Sequence, residues 1–185
     1  MRTGNGQYAK SAKLAAFDMD GTLLQGRLVF ELASRFDLEE KVRAIQASKL
    51  RGFEQSEAIA LLFKGIPGTD VTSAIESIPL AKNCEKAVSE LKERGYATGI
   101  ISDSYTLAAN YVAEKLGMDF VSANQLEVSG GKLTGNVTMP LGWEQIGCFC
   151  KISVCKRYHL EKAARERGVD MRDTVAIGDT RSDVC

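Results

Sequence analysis

Between residues 82 and 177 the chain repeats one pattern three times: a run of helical periodicity, a glycine, then a short apolar run. In 82–94, Cys84, Ala87, Val88 and Leu91 fall at helical spacing, Gly95 stops them, and 96–101 (YATGII) reads as a buried strand. Residues 106–116 place Leu107, Ala108, Tyr111 and Val112 on an inner face, with Gly117 as stop and Phe120-Val121 opening the next strand. Residues 154–167, with Ser153 as N-cap, end at Gly168 and lead to a strand at 174–177 (TVAI). A short apolar strand at 13–17 precedes them all. Strands joined by helices of this length run parallel, because a parallel pair needs a long crossover. The predicted fold class is therefore α/β, a doubly wound, Rossmann-like parallel sheet. The stretch SGGKLTGNV, with glycine at both turns, predicts a small hairpin beside it.

One segment breaks the rhythm. Residues 27–79 read as successive helices with no strand between them: Leu28, Leu32, Ala33 and Phe36 form one stripe, Ala58, Ile59, Leu62 and Phe63 another, and Asp37 with Glu40 resembles a capping box. An insert directly after the first strand sits over the strand ends, where such folds bind ligands. The expected organisation is a core of 1–26 and 80–185 with a helical cap of 27–79.

The first strand runs straight into Asp18 and Asp20 in AAFDMDGTLL. Residues i and i+2 of a strand point to the same side, so these carboxylates repel unless a cation or substrate uses them. Ser102 follows the strand of GII, a lysine opens the third helix, and Asp179 and Asp183 follow AIG. In a parallel sheet all these ends share one edge. Several carboxylates, a hydroxyl and an ammonium brought together suit Mg²⁺ holding a phosphate, with hard oxygen ligands for the metal and cations for the phosphoryl oxygens.

Charge excludes other classes. The 24 basic residues match the 24 acidic ones and are spread out, which favours neither nucleic acid nor an anionic membrane surface. No apolar run approaches the roughly 20 residues of a membrane span. The opening MRTGNGQYAKSAK lacks the apolar core of a signal peptide and reads as a short exposed arm, so a cytoplasmic location is expected. An odd count of five cysteines argues for reduced thiols. Cys148, Cys150 and Cys155 cluster, but their C-x-C-x4-C spacing is not that of a paired zinc motif, and ordinary thiols are the preferred reading over a metal site. His159, the single histidine, reads as a helix-surface residue, and Trp143 as local packing.

DMDGTLL, ISDS, the lysine and GDTRSD resemble the four motifs of the haloacid dehalogenase superfamily, in the layout of its phosphoserine phosphatase branch, over roughly 14–183. The resemblance implies a Mg²⁺-dependent phosphatase acting on a small-molecule phosphomonoester. Asp18 would be the nucleophile, forming an aspartyl phosphate. Asp20 would protonate the leaving alkoxide and then take a proton from water. Mg²⁺ would be held by Asp18, Asp179 and the backbone carbonyl of Asp20, with Asp183 ligating directly or through water. Ser102, Asp103, Gly21 and Arg27 would meet phosphate or substrate, Gly21 also permitting the tight turn after the pair. Lys156 and Lys151 compete for the third motif. Lys156 has the family's spacing and lies in the first helical turn, where a cation is cheap only opposite an anion.

The chain departs from that branch in three ways. The family's glutamate nine residues after the nucleophile is here Arg27, and the cap arginine expected after a Phe-Glu-Gln-like segment is missing from EAIALLF, unless a shift in the cap brings Glu31 into play. GDGAND becomes GDTRSD, placing Ser182 at the asparagine, and SGG becomes Ser102-Asp103-Ser104. The sequence stops at Cys185, where the family's chains continue for a few dozen residues. These changes predict that phosphoserine is a poor substrate. The competing functions are a receiver-type phosphoacceptor domain, which has no need of the second aspartate, and a catalytically weak binding domain of the same fold.

Overall fold

The computed structural model describes residues 13–184, so the expected arm at 1–13, apart from Lys13, and Cys185 lie outside the described residues. Five strands, β1 (Lys13–Phe17), β2 (Tyr96–Tyr105), β3 (Phe120–Ser129), β4 (Lys132–Thr138) and β5 (Thr174–Ile177), lie in the order β4-β3-β2-β1-β5. β1 is parallel to both β2 and β5, β3 is parallel to β2, and β4 is antiparallel at the far edge. Alternation along β1 divides the core. Leu14 and Ala16 join Ile101, Val154, Ala163, Ala164 and Val169 on one face, while Ala15 and Phe17 join the larger cluster on the other.

Four helices follow β1 without an intervening strand: α1 (Leu28–Ser34), α2 (Glu39–Gln46), α3 (Gly52–Leu62) and α4 (Gly68–Ser77). Their entry and exit are stitched together. Leu24 pairs antiparallel with Leu80, Gln25 N–H donates to Pro79 at 2.9 Å and Ala81 N–H to Leu23 at 2.8 Å. Leu28, Leu32, Val42, Ile59, Phe63 and Ile75 share one apolar cluster with Ile100, Tyr105 and Val112, so the four helices pack onto the sheet's larger core. The crossover helices are α5 (Cys84–Glu93), α6 (Thr106–Leu116) and α8 (Lys156–Arg167), with the single turn α7 (Trp143–Ile146) before α8.

Several local expectations are corrected. β2 runs four residues past the apolar stretch to Tyr105, because Ser102 and Ser104 are themselves buried there. The expected hairpin is present, β3 turning at Gly130 and Gly131 into the antiparallel β4, but it joins the main sheet as its edge instead of lying beside it. Asp37 caps nothing and sits at φ 55, while α2 starts at Glu39 behind Leu38. α8 starts at Lys156 behind Cys155, and Ser153 instead meets Asn124 and Ser56 with its hydroxyl. On α6 Leu107 is exposed and Ala109 and Ala113 take the inner face with Ala108 and Val112; Ala87 on α5 faces outward, and Phe36 lies exposed in the turn beyond α1. His159 is buried, its Nδ1 2.8 Å from Ser122 Oγ.

Candidate active site

The C-terminal ends of β1, β2 and β5 and the first turn of α8 meet at one edge of the sheet. Asp18 continues the β1 ladder, its N–H donating to Ile177 of β5 at 2.8 Å, which fixes the carboxylate beside the turn that follows β5. The side chain is buried, with Oδ1 3.0 Å from Lys156 Nζ. The same ammonium donates to Asp183 Oδ1. Lys156 is thus a buried cation in the first turn of α8, held between two carboxylates, the one arrangement that makes this location cheap. Lys151 lies elsewhere, its Nζ 3.6 Å from the centroid of the Trp143 ring.

Opposing influences set the protonation of these groups. Burial raises Asp18 above the ordinary carboxylate range and outweighs Lys156, with Asp103 adding repulsion. Burial pushes Asp183 up too, but there Lys156 and Thr180 win and hold it below the usual value. Thr180 donates to Asp183 Oδ2 from both its N–H (3.0 Å) and its hydroxyl (2.8 Å). Burial would discharge Lys156, but Asp18, Asp183 and Asp103 hold it charged above its ordinary value.

Asp20 stands apart from this cluster. Its Oδ1 accepts the N–H of Leu28, the first residue of α1, at 3.1 Å. Burial, reinforced by Asp103 and Asp18 and only partly countered by Leu28 and Ser104, pushes it up to about 7. A carboxyl poised there both gives and takes a proton near neutrality.

Carboxylate oxygens of Asp18, Asp179 and Asp183 lie within 4.8 Å of one another. Asp179 is exposed, and Gly21 makes its approach possible. At φ +86 the turn after the DMD pair brings the backbone so close that a Cβ on Gly21 would stand 2.5 Å from Asp179 Oδ2. Three hard oxygen donors on a locally acidic edge fit a divalent cation such as Mg²⁺, to which the Asp20 backbone carbonyl could add.

A cleft of about 230 Å³ opens over this edge, lined by Asp18, Asp20 and Asp103 from the sheet side and by Arg27, Phe30 and Gln55 from the helical segment. Arg27 is half-exposed, its Nη2 4.0 Å from Asp179 Oδ2. Glu31 is engaged elsewhere, by Arg35 and Ser77. Ser102 is fully buried and its Oγ accepts Ser104 N–H at 3.2 Å. Asp103 is exposed, and its carbonyl accepts Asn124 Nδ2 at 2.6 Å. Sequence reasoning missed Thr180, which fixes Asp183, and Asn124, which fixes the backbone under Asp103. The signal for Asn124 was available: a polar amide inside an apolar strand needs a partner.

Over residues 15–185 the sequence matches the family described as haloacid dehalogenase-like hydrolase. It is 37% identical over 180 residues to the phosphoserine phosphatase of Methanocaldococcus jannaschii, a match covering 95% of this chain and 81% of that protein. With the phosphoserine phosphatase of Streptomyces coelicolor it is 31% identical over 183 residues, covering 97% of this chain and 42% of that longer one. A solved phosphoserine phosphatase with bound substrate is similar at TM-score 0.79 and 33% identity, over 95% of this chain and 81% of that one. A phospho-aspartyl intermediate analogue of a phosphoserine phosphatase is similar at TM-score 0.78 and 33% identity, with the same coverage.

Proposed function

We propose that this chain, which belongs to the haloacid dehalogenase-like hydrolase family, hydrolyses a small phosphomonoester through an aspartyl phosphate on Asp18. The observation that carries this reading is the placement of Lys156 between Asp18 and Asp183, at a cleft whose other carboxyl, Asp20, sits near neutrality. The Asp18 carboxylate attacks phosphorus as the ester oxygen departs. Asp20, still protonated, gives its proton to that oxygen, and its carboxylate then takes a proton from the water that attacks the aspartyl phosphate. Lys156 offsets negative charge on Asp18 and on the phosphoryl oxygens, while Ser102, buried beneath the cleft, holds the Ser104 backbone. Mg²⁺, held by Asp18, Asp179, Asp183 and the Asp20 carbonyl, would supply electrostatic neutralisation of the phosphoryl group. Residues 27–79 act as the cap over a core of 1–26 and 80–185, and Arg27 and Gln55 contact the substrate's leaving group.

The protonatable second aspartate and the covering helices favour an enzyme over a receiver-type acceptor. The test is turnover of p-nitrophenyl phosphate with Mg²⁺ and with chelator. Wild type is expected to turn over only with Mg²⁺, and Asp18→Asn to lose at least about a thousandfold while keeping its helical signal and melting cooperatively. An active Asp18→Asn protein would overturn the assignment.

The substrate reading rests on charge. Phosphoserine presents an ammonium, and from the cap side the cleft offers Arg27 while Glu31 is tied to Arg35 and Ser77. A like charge beside the half-exposed Arg27 costs on the order of 1 kcal/mol. We expect kcat/KM for phosphoserine to fall below that for sugar or acid phosphates. A preference for phosphoserine would place its recognition on Asp103 or on the glutamines of the cap.

A further inference from the structure

The second cluster of metal-ligating side chains lies away from the carboxylates, in the segment joining α7 to α8. The Sγ atoms of Cys148, Cys150 and Cys155 lie within 4.8 Å of one another. None of the four described cysteines forms a disulfide. The backbone around these three is pinned from several sides. Cys148 N–H donates to Trp143 at 2.9 Å, Trp143 Nε1 to the Ile152 carbonyl at 3.0 Å, and Cys155 N–H to Leu141 at 2.8 Å. On the cap side, Phe53 N–H donates to the Lys151 carbonyl at 3.1 Å. The thiols therefore converge on a built scaffold, and the sequence spacing alone conceals it.

We propose that Cys148, Cys150 and Cys155 form a binding site for one soft, thiolate-seeking divalent cation, with the position facing solvent left to water. Sulfur donors select soft ions and reject Mg²⁺, so the two clusters sort their metals by ligand chemistry. Binding converts three thiols to thiolates: one M²⁺ enters, three protons leave, and the resulting unit carries one negative charge. Two features receive that charge. Cys155 is the N-cap of the twelve-residue α8, at the positive end of the helix dipole, and the Arg157 guanidinium, bonded to Glu161, adds an electrostatic attraction to Cys148 and Cys155. Without an ion, burial and the neighbouring thiols push Cys155 up to about 12. A cation among the sulfurs reverses that balance. Cys155 immediately precedes Lys156, so occupancy would fasten the residue next to the ammonium that pairs with Asp18.

The test uses the full chain, reduced with a phosphine and held in excess Mg²⁺ to fill the carboxylate cluster, titrated with Cd²⁺. The expected result is an ultraviolet thiolate-to-cadmium charge-transfer band that saturates at one ion per chain, with release of about three protons per ion. Cys150→Ser, at a partly exposed position, should weaken binding at least about tenfold and reduce the proton count. Cys148→Ser provides a second variant with the same expectation. Cys84→Ser and Asp179→Asn should leave the band unchanged. Absence of a saturable band, or a band indifferent to both Cys150→Ser and Cys148→Ser, would overturn the site.

Discussion

Gly21 and Asp20 illustrate how much of this site depends on single residues. Gly21→Ala would place a Cβ 2.5 Å from Asp179 Oδ2 at φ +86, so the turn or the Asp179 carboxylate must shift. The backbone conformation alone costs about 1 kcal/mol. We expect a small loss in melting temperature and a much larger rise in the Mg²⁺ concentration needed for half-maximal activity. Asp20 yields a prediction with a definite sign. Its folded pKa of about 7 lies above the ordinary 3.8, so the folded state holds the proton more tightly. The stabilisation is complete below 3.8 and is lost as pH rises through 7, where folding must bury a carboxylate. In chelator at pH 8, Asp20→Asn should therefore be more stable than wild type, by about 4 kcal/mol, with the gap closing toward pH 4. The same variant should lose at least a hundredfold in turnover. Denaturant melts across that pH range check the first expectation and steady-state kinetics the second.

At the scale of elements, helices bounded by Gly95, Gly117 and Gly168 and the strands at 13–17 and 174–177 were legible because each carries its own period and stop signal. The polar end of β2 was not: Ser102 to Tyr105 look like a loop, and become strand only because β3 pairs beyond them and Asn124 ties down the Asp103 carbonyl. The meeting of Asp18, Asp179 and Asp183 at one edge was readable because strand ends in a parallel sheet share an edge, whereas Asp20 is drawn to the start of α1. The convergence of the three thiol sulfurs in space and the burial of His159 were not readable, since both depend on tertiary packing that spacing along the chain does not show. His159 makes the attachment of α8 sensitive to acid. Burial, aided by Lys162, lowers it below its ordinary 6.5, although the Leu141 and Pro140 backbone favours the charged form. The unfolded chain then takes up a proton that the folded chain resists, so this contribution is intact above 6.5 and lost as pH falls through the lowered value. His159→Gln should flatten that fall relative to wild type between pH 7 and 5, as measured by urea midpoints. An unchanged slope would show that α8 opens locally before the ring is charged.

Across the whole molecule, the sheet order places β1 between β2 and β5, so its two neighbours come from far along the chain. Non-local pairing of this kind folds slowly. Refolding from urea should restore helical signal before Mg²⁺-dependent turnover, because Asp179 and Asp183 are aligned with Asp18 only after β5 docks. Stopped-flow circular dichroism against a coupled phosphate assay would show the lag, and simultaneous recovery would contradict it. During synthesis the same order matters in another way. At roughly 5–20 residues per second, β1 leaves the ribosome on the order of ten seconds before β5 exists. Through that interval Leu14 to Phe17 is an apolar segment with an unpaired edge, the kind of sequence that joins a neighbouring nascent chain. Asp18 and Asp20 end it with two like charges, which repel a second copy laid alongside in register. The carboxylates proposed for phosphate chemistry would thus serve the unfinished chain as gatekeepers against aggregation. Replacing both with asparagine should leave more of the product in the pellet of a cell-free translation than replacing Asp179 and Asp183.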